Sequence, residues 1–171
     1  ESNLASSGKE TPRTVDNWSN IGSSLYALGE HRKAIEYHKK VLDYNLKNLG
    51  PEHPEVAANW NDLGSAYSGL GQYQKAINHF QKALDSNLKN FGQAHPEVTS
   101  NYINLGTAWS SLGKYKKAIA NHKKAVNSSN LLTGPEHPDS AVNINYLGSS
   151  YYALGDHHQA IKFHKIALKS N

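Results

Sequence analysis

HPEVAANWNDLGSAYSGLGQYQKAINHFQKALDSNLKNFG, residues 53–92, decides the fold. Its opening His53-Pro54-Glu55 reads as a helix start: Pro at a first helical position loses no hydrogen bond, and Glu55 suits the positive end of the helix dipole. Trp60, Leu63, Ala66, Tyr67 and Leu70 then recur at spacings of three and four, which makes one apolar face. Gly71 ends that helix. Ala76, Ile77, Phe80, Ala83, Leu84, Leu88 and Phe91 repeat the pattern on a second helix, and Gly92 stands where a helix-ending glycine would. The stretch is therefore two helices, A and B. Gly64, on the apolar side of A, is expected to let a partner backbone come close, since mid-helix Gly otherwise costs about 1 kcal/mol against Ala.

The unit recurs. A shift of 42 residues superimposes Leu28, Leu70, Leu112 and Leu154, and with them Ala34, Ala76, Ala118 and Ala160 and Ile35, Ile77, Ile119 and Ile161. All of the 13 glycines except Gly69 fall into three phases, those of Gly8, Gly22 and Gly29. A phosphate-cradling glycine loop thus has no support, because Gly69-Leu70-Gly71 lacks both the third glycine and a preceding strand. The periodicity divides the 171 residues into an N-terminal tail (1–7) and units at 8–49, 50–91, 92–133 and 134–171, the last one shorter.

Trp60-x2-Leu63-Gly64-x2-Tyr67, followed by Ala76-x3-Phe80 and Pro96, resembles the tetratricopeptide (TPR) repeat pattern. The other units vary it with Trp18, Gly22 and His38; Tyr102, Gly106 and His122; and Ile144, Gly148 and His164. The 42-residue period, with Gly50-Pro51-Glu52-His53-Pro54 and Gly134-Pro135-Glu136-His137-Pro138 between units, is similar to kinesin light chain-type TPRs. The resemblance implies an all-α, right-handed superhelical solenoid of stacked antiparallel helix pairs. It also implies a concave groove lined by A helices, B helices on the convex side, and a scaffold that binds a peptide or helical segment of a partner.

The A-helix residues off the apolar face are then the candidate partner-binding set: Asn20, Ser23 and Tyr26; Asn61, Asp62, Ser65 and Ser68; Asn104 and Thr107 beside Ile103 and Ser110; Asn145, Tyr146, Ser149 and Tyr152. Amides and hydroxyls that both donate and accept suit the backbone of an extended segment, and tyrosines add flat contact at low entropy cost. The same row also reads as a solvated face. Of the 18 Lys and Arg, only Arg13 falls in an A helix. The groove is thus expected to reject acidic tails, which TPR clamps and the kinesin light chain groove take with groove Lys or Arg, and to accept a neutral to mildly basic protein or peptide, with Asp16 and Asp62 as its only acids.

Other functions are less well supported. The chain has no Cys, which excludes disulfides, thiol nucleophiles and cysteine zinc sites. His53, His95 and His137 each precede Pro at an A-helix entry and read as loop braces; about 10 Å between stacked helices is too far for shared coordination of one ion. His38, His122 and His164 stand where helix B wants an aromatic, and His157-His158 reads as a polar turn. Asn17, Asn59, Asn101 and Asn143 lie on the packed face and are expected to bond a neighbouring helix or loop. No unique nucleophile and base come together, so neither enzyme activity, cofactor nor metal is expected. Convex lysines such as Lys33, Lys75 and Lys117 make nucleic acid a weaker alternative, the net charge being +4. A sensory or regulatory array controlling an effector domain outside the chain is another. The N-terminus lacks a signal-peptide core and no run approaches a membrane span, which points to a cytoplasmic protein with no membrane partner. At the other end, Asn171 is in phase with Asn45, Asn87 and Ser129, so helix B of the fourth unit is expected to stop uncapped, as in a fragment of a longer array or a chain that self-associates through that end.

Overall fold

A computed structural model describes residues 11–169. The N-terminal tail, Gly8 and Asn171 lie outside the described residues. Eight helices follow one another: α1 (Pro12–Ala27), α2 (His31–Leu49), α3 (Pro54–Gly69), α4 (Tyr73–Phe91), α5 (Pro96–Ser111), α6 (Tyr115–Thr133), α7 (Pro138–Leu154) and α8 (His157–Lys169). Every helix packs mainly on its neighbours in sequence, and contact between next-nearest helices is slight, between α3 and α5 and between α5 and α7. The result is a solenoid of stacked antiparallel helix pairs, in which each A helix lies between the B helix of its own unit and that of the unit before.

Local chemistry sets the helix ends. His53, His95 and His137 are the N-caps of α3, α5 and α7, each accepting at Nδ1 the backbone N–H two residues on, from Glu55, Glu97 and Asp139 at 3.2–3.3 Å. These rings do the work usually given to Ser or Asp at a cap. Thr11 caps α1 through the Thr14 N–H. Gly92, which closes α4, has φ 74° and ψ −174°. This region is open to glycine and almost closed to other residues, so Gly92 ends the helix as its position in the sequence suggested. His157 and His158 open α8 and so belong to a helix rather than to a turn.

The mid-helix glycines differ from expectation too. A Cβ on Gly64 would lie 2.5 Å from the Phe80 ring, and one on Gly22 would lie 2.8 Å from the His38 ring. Gly106 faces His122 and Gly148 faces His164 in the same way. What each glycine admits is the aromatic or imidazole ring of its own B helix, not a neighbouring backbone. The helix backbone supplies the floor of a slot and the ring fills it, which recovers as packing what the glycine costs in helix propensity.

The core is a stripe, broken once. Ala34, Ile35 and Leu42 of α2 join Val56, Leu63 and Tyr67 of α3, Ile77, Phe80 and Leu84 of α4, and Val98, Tyr102 and Leu105 of α5 in one cluster that ends at Ala125 of α6. A second, smaller cluster holds Ala141, Ile144 and Ala167 against Val126 and Phe163. Buried hydroxyls occupy the gap, those of Thr99, Ser128, Ser129 and Ser140.

Candidate functional site

The expected residues lie on A helices and differ in exposure. Asn20, Ser23 and Tyr26 are exposed on α1; Asn61, Asp62, Ser65 and Ser68 are half-buried on α3; Asn104 is half-buried and Thr107 exposed on α5; Asn145, Tyr146, Ser149 and Tyr152 are exposed on α7. Two of them meet. Asn104 Nδ2 donates to Asn61 Oδ1 at 3.0 Å, and Asn101 Nδ2 donates to the same oxygen at 3.2 Å. Asn145 instead faces its own B helix, its Oδ1 lying 2.7 Å from His164 Nδ1. Ser149 and Ser24 bond back to the carbonyls of Asn145 and Asn20 in their own helices. These amides are thus partly occupied within the protein, whereas the tyrosines are open: Tyr26 is 40%, Tyr146 40% and Tyr152 66% exposed. Tyr26 and Tyr152 each lean on the first histidine of the following helix, with ring centres 5.2 Å apart.

The charge of the row is one-sided. No Lys or Arg falls within α3, α5 or α7, while α2, α4, α6 and α8 each carry at least three. Burial, helped by the charge of Glu97, pushes the Asp62 carboxyl up to about 6. Glu97 is thus an acid near Asp62 that the sequence reading did not single out. Its signal was present in the repeat, since Glu55, Glu97 and Asp139 share one phase at the A-helix entries. On the B helices lysines lie against aromatic faces, Lys82 Nζ 5.8 Å from the Trp60 ring centre and Lys124 Nζ 5.5 Å from that of Tyr102. Stems laid along rings cover apolar surface while the ammonium stays in water.

Behind the row, polar ties join the units. Asn45 Nδ2 donates to Asn59 Oδ1 and Asn87 Nδ2 to Asn101 Oδ1, both at 2.8 Å and buried. The repeated asparagines hold helix B of one unit to helix A of the next, as the pattern suggested for Asn59 and Asn101. Asn143, the fourth of the series, has no such bond, because Ser129 replaces the donor and its hydroxyl turns back to the Val126 carbonyl. His38 and His122 are buried in the glycine slots, and burial holds the His122 imidazole down to about 4. Among the described residues, no group of three or more His, Asp or Glu could hold a metal ion, and no helix is long and apolar enough to cross a membrane.

A family model for the tetratricopeptide repeat matches residues 13–89 and 91–170. Among solved structures, BtubC (BKLC) from P. vanneervenii superposes with a TM-score of 0.85 at 25% identity, covering 95% of this chain and 65% of its own length. This chain thus spans just under two thirds of that relative. A kinesin light chain candidate from Podosopora anserina, made of nearly identical TPR-like repeats, gives 0.82 at 22% identity, with 94% and 76% covered. MamA gives 0.67 at 24%, with 93% and 79% covered. At these lower identities the likeness speaks to the fold alone. No curated protein sequence gives a significant match.

Proposed function

Because the chain belongs to the tetratricopeptide repeat family, we propose that it is a non-catalytic scaffold whose four units, 8–49, 50–91, 92–133 and 134–171, present one concave groove to a neutral or mildly basic peptide or helical segment of a partner protein. The observation that carries this reading is the division of charge: α3, α5 and α7 hold no Lys or Arg, and Asp62 and Glu97 lie close enough for one to disfavour ionisation of the other. A cation on the partner relieves that repulsion, whereas an acidic tail adds to it. Tyr26, Tyr146 and Tyr152 supply contact area with little rotamer entropy to lose.

Ser65→Arg combined with Thr107→Arg tests this reading. Both positions tolerate a long helix-forming side chain at the groove surface, so helicity should hold while the groove is blocked and its charge reversed. A peptide selected against the whole chain should bind the double variant about tenfold more weakly or worse. Unchanged affinity in isothermal titration would refute the concave groove as the binding surface.

A further inference from the structure

An open cavity of about 260 Å³ lies between α5, α6 and α7, walled by Ile103, Ser129, Leu132, Val142 and Asn143, with Asp139 at its rim. Its origin is a set of departures from the repeat. One junction earlier the same phases hold Asn61, Asn87, Asn90, Ser100 and Asn101, and there the side chains of Asn87, Asn101 and Asn61 are joined in a hydrogen-bonded row. Here Ser129 is too short to reach across, and Ile103 has no acceptor to offer. Asn143 is 3% exposed, lines the cavity, and has no side-chain hydrogen-bond partner among the described residues. Its carboxamide opens onto the cavity, where a partner's backbone N–H and C=O could pair with it.

Pro96, Ile103, Leu132 and Val142 give the cavity its apolar part beside the hydroxyls of Thr99, Ser100, Ser129 and Thr133, and Leu132 is 42% and Val142 53% exposed. An apolar cavity of about 150 Å³ already takes up benzene, so this one has room for a branched aliphatic side chain. Its rim is acidic. Asp139 lies 3.5 Å from His137 Nδ1, but that nitrogen accepts the Asp139 backbone N–H and is therefore unprotonated, so no ion pair neutralises the carboxylate.

We infer that this cavity is an anchor pocket for a partner peptide in which Leu or Ile is flanked by Lys or Arg: the aliphatic side chain fills the cavity, the peptide backbone pairs with the Asn143 carboxamide, and the cation meets Asp139. The inference rests on the groove reading and extends it, since Ile103 belongs to both surfaces.

The test starts from random peptides displayed on phage and selected against the 171-residue chain, followed by fluorescence anisotropy with the recovered peptide as a labelled synthetic probe. An aliphatic residue beside a basic one should dominate the selection, and changing that aliphatic residue to Ala should weaken binding about tenfold or more. Ser129→Asn rebuilds the donor found at Asn87, so it should fill the cavity, raise the melting temperature and weaken binding to a similar extent. Val142→Ser, which restores the residue of the preceding unit, should weaken binding less and checks the result if Ser129→Asn fails to fold. A selection without the aliphatic and basic pair, or Ser129→Asn binding as tightly as the wild type, overturns the pocket. Loss of binding in Ser65→Arg/Thr107→Arg alone leaves the groove standing without the pocket. Loss in Ser129→Asn alone keeps the pocket and removes the groove.

Discussion

The junction between the second and third units and the junction between the third and fourth are built to one plan and held by different chemistry. In the first, the apolar core runs through from α4 to α5, and Asn87, Asn101, Asn61 and Asn104 bond in a row across α4, α3 and α5. The loop entering α3 is tied to α4 as well, through an ion pair of Lys89 with Glu52 and through Asn90 Nδ2 donating to the Glu52 carbonyl at 2.7 Å. In the second, the core is interrupted and hydroxyls take over. Within the third unit, Ser128 donates to the Gln93 carbonyl at 2.6 Å and lies 2.7 Å from the Thr99 hydroxyl, and across the junction Ser140 Oγ lies 3.4 Å from Ser129 Oγ. Ser140 donates to the Gly134 carbonyl at 2.8 Å. Leu131 and Leu132, standing where Lys89 and Asn90 stand one unit earlier, are 64% and 42% exposed. The Asn87 carboxamide reaches Asn101 on the next helix, whereas the Ser129 hydroxyl in the same phase turns back to the Val126 carbonyl of its own helix. Short side chains at the later junction therefore secure the loops and leave the helices unfilled between them.

Removing the centre of each row gives the sharpest contrast. Asn101→Ala deletes two bonds and strands the buried Asn87 amide, while Asn61 keeps Asn104, so about 3 kcal/mol of stability should be lost. Asn143→Ala removes a group that has no partner to strand and should cost about 1 kcal/mol or less. Urea unfolding of both variants measures the difference, and equal losses would erase the distinction between the junctions.

Asp62 on α3 and Glu97 on α5 make the earlier junction sensitive to pH in one direction. The folded carboxyl titrates near 6 against 3.8 for its ordinary value, so the folded state favours the protonated form. The penalty is fully present above about pH 6 and vanishes below the ordinary value, so this group stabilises the fold as pH falls. Asp62→Asn should therefore gain about 3 kcal/mol at pH 7.5 and almost nothing at pH 3.5. A variant no more stable than wild type at pH 7.5 would show that Asp62 is solvated there.

The later junction responds in the opposite direction through His122, whose Nδ1 lies 2.7 Å from Ser150 Oγ. Its imidazole titrates near 4 when folded against 6.5 for its ordinary value, so its contribution is present above pH 6.5 and is lost as pH falls toward 4. Phe80 and Ala108 occupy the same two phases one unit earlier. His122→Phe with Ser150→Ala transplants that pair and should gain about 2 kcal/mol over the wild type at pH 5 beyond any difference at pH 7.5. His122→Phe alone should fall short by about 1 kcal/mol or more, because the Ser150 hydroxyl is left buried and unpaired. Parallel pH profiles for the double variant and the wild type would contradict the assignment. The smallest effect concerns the exposed ion pair: Glu52→Gln should change stability by about 0.5 kcal/mol or less, and less still in high salt, because water already screens the two charges.

Much of this architecture was legible in the amino-acid order. The 42-residue register, Pro54, Pro96 and Pro138 at helix starts, Gly71 and Gly92 at helix ends, and the buried role of Asn59 and Asn101 all follow from local geometry or from a repeat that forces equivalent residues into equivalent places. Even the weak junction left a trace, since Ser129 breaks the series of Asn45 and Asn87. Distances between elements were not legible. Periodicity places Gly64 on a packed face, but whether a backbone or the Phe80 ring fills the space depends on how closely α3 and α4 approach. Asp62 and Glu97 are 35 positions apart in the chain and lie on different helices; their mutual repulsion exists only once α3 and α5 stack side by side. The cavity at Asn143 is a volume left between three helices, and no single helix encodes it. Sequence fixes what each face offers, because side-chain direction is local to a helix; the tertiary structure decides what each face meets, because burial and charge interaction depend on neighbours distant in the chain.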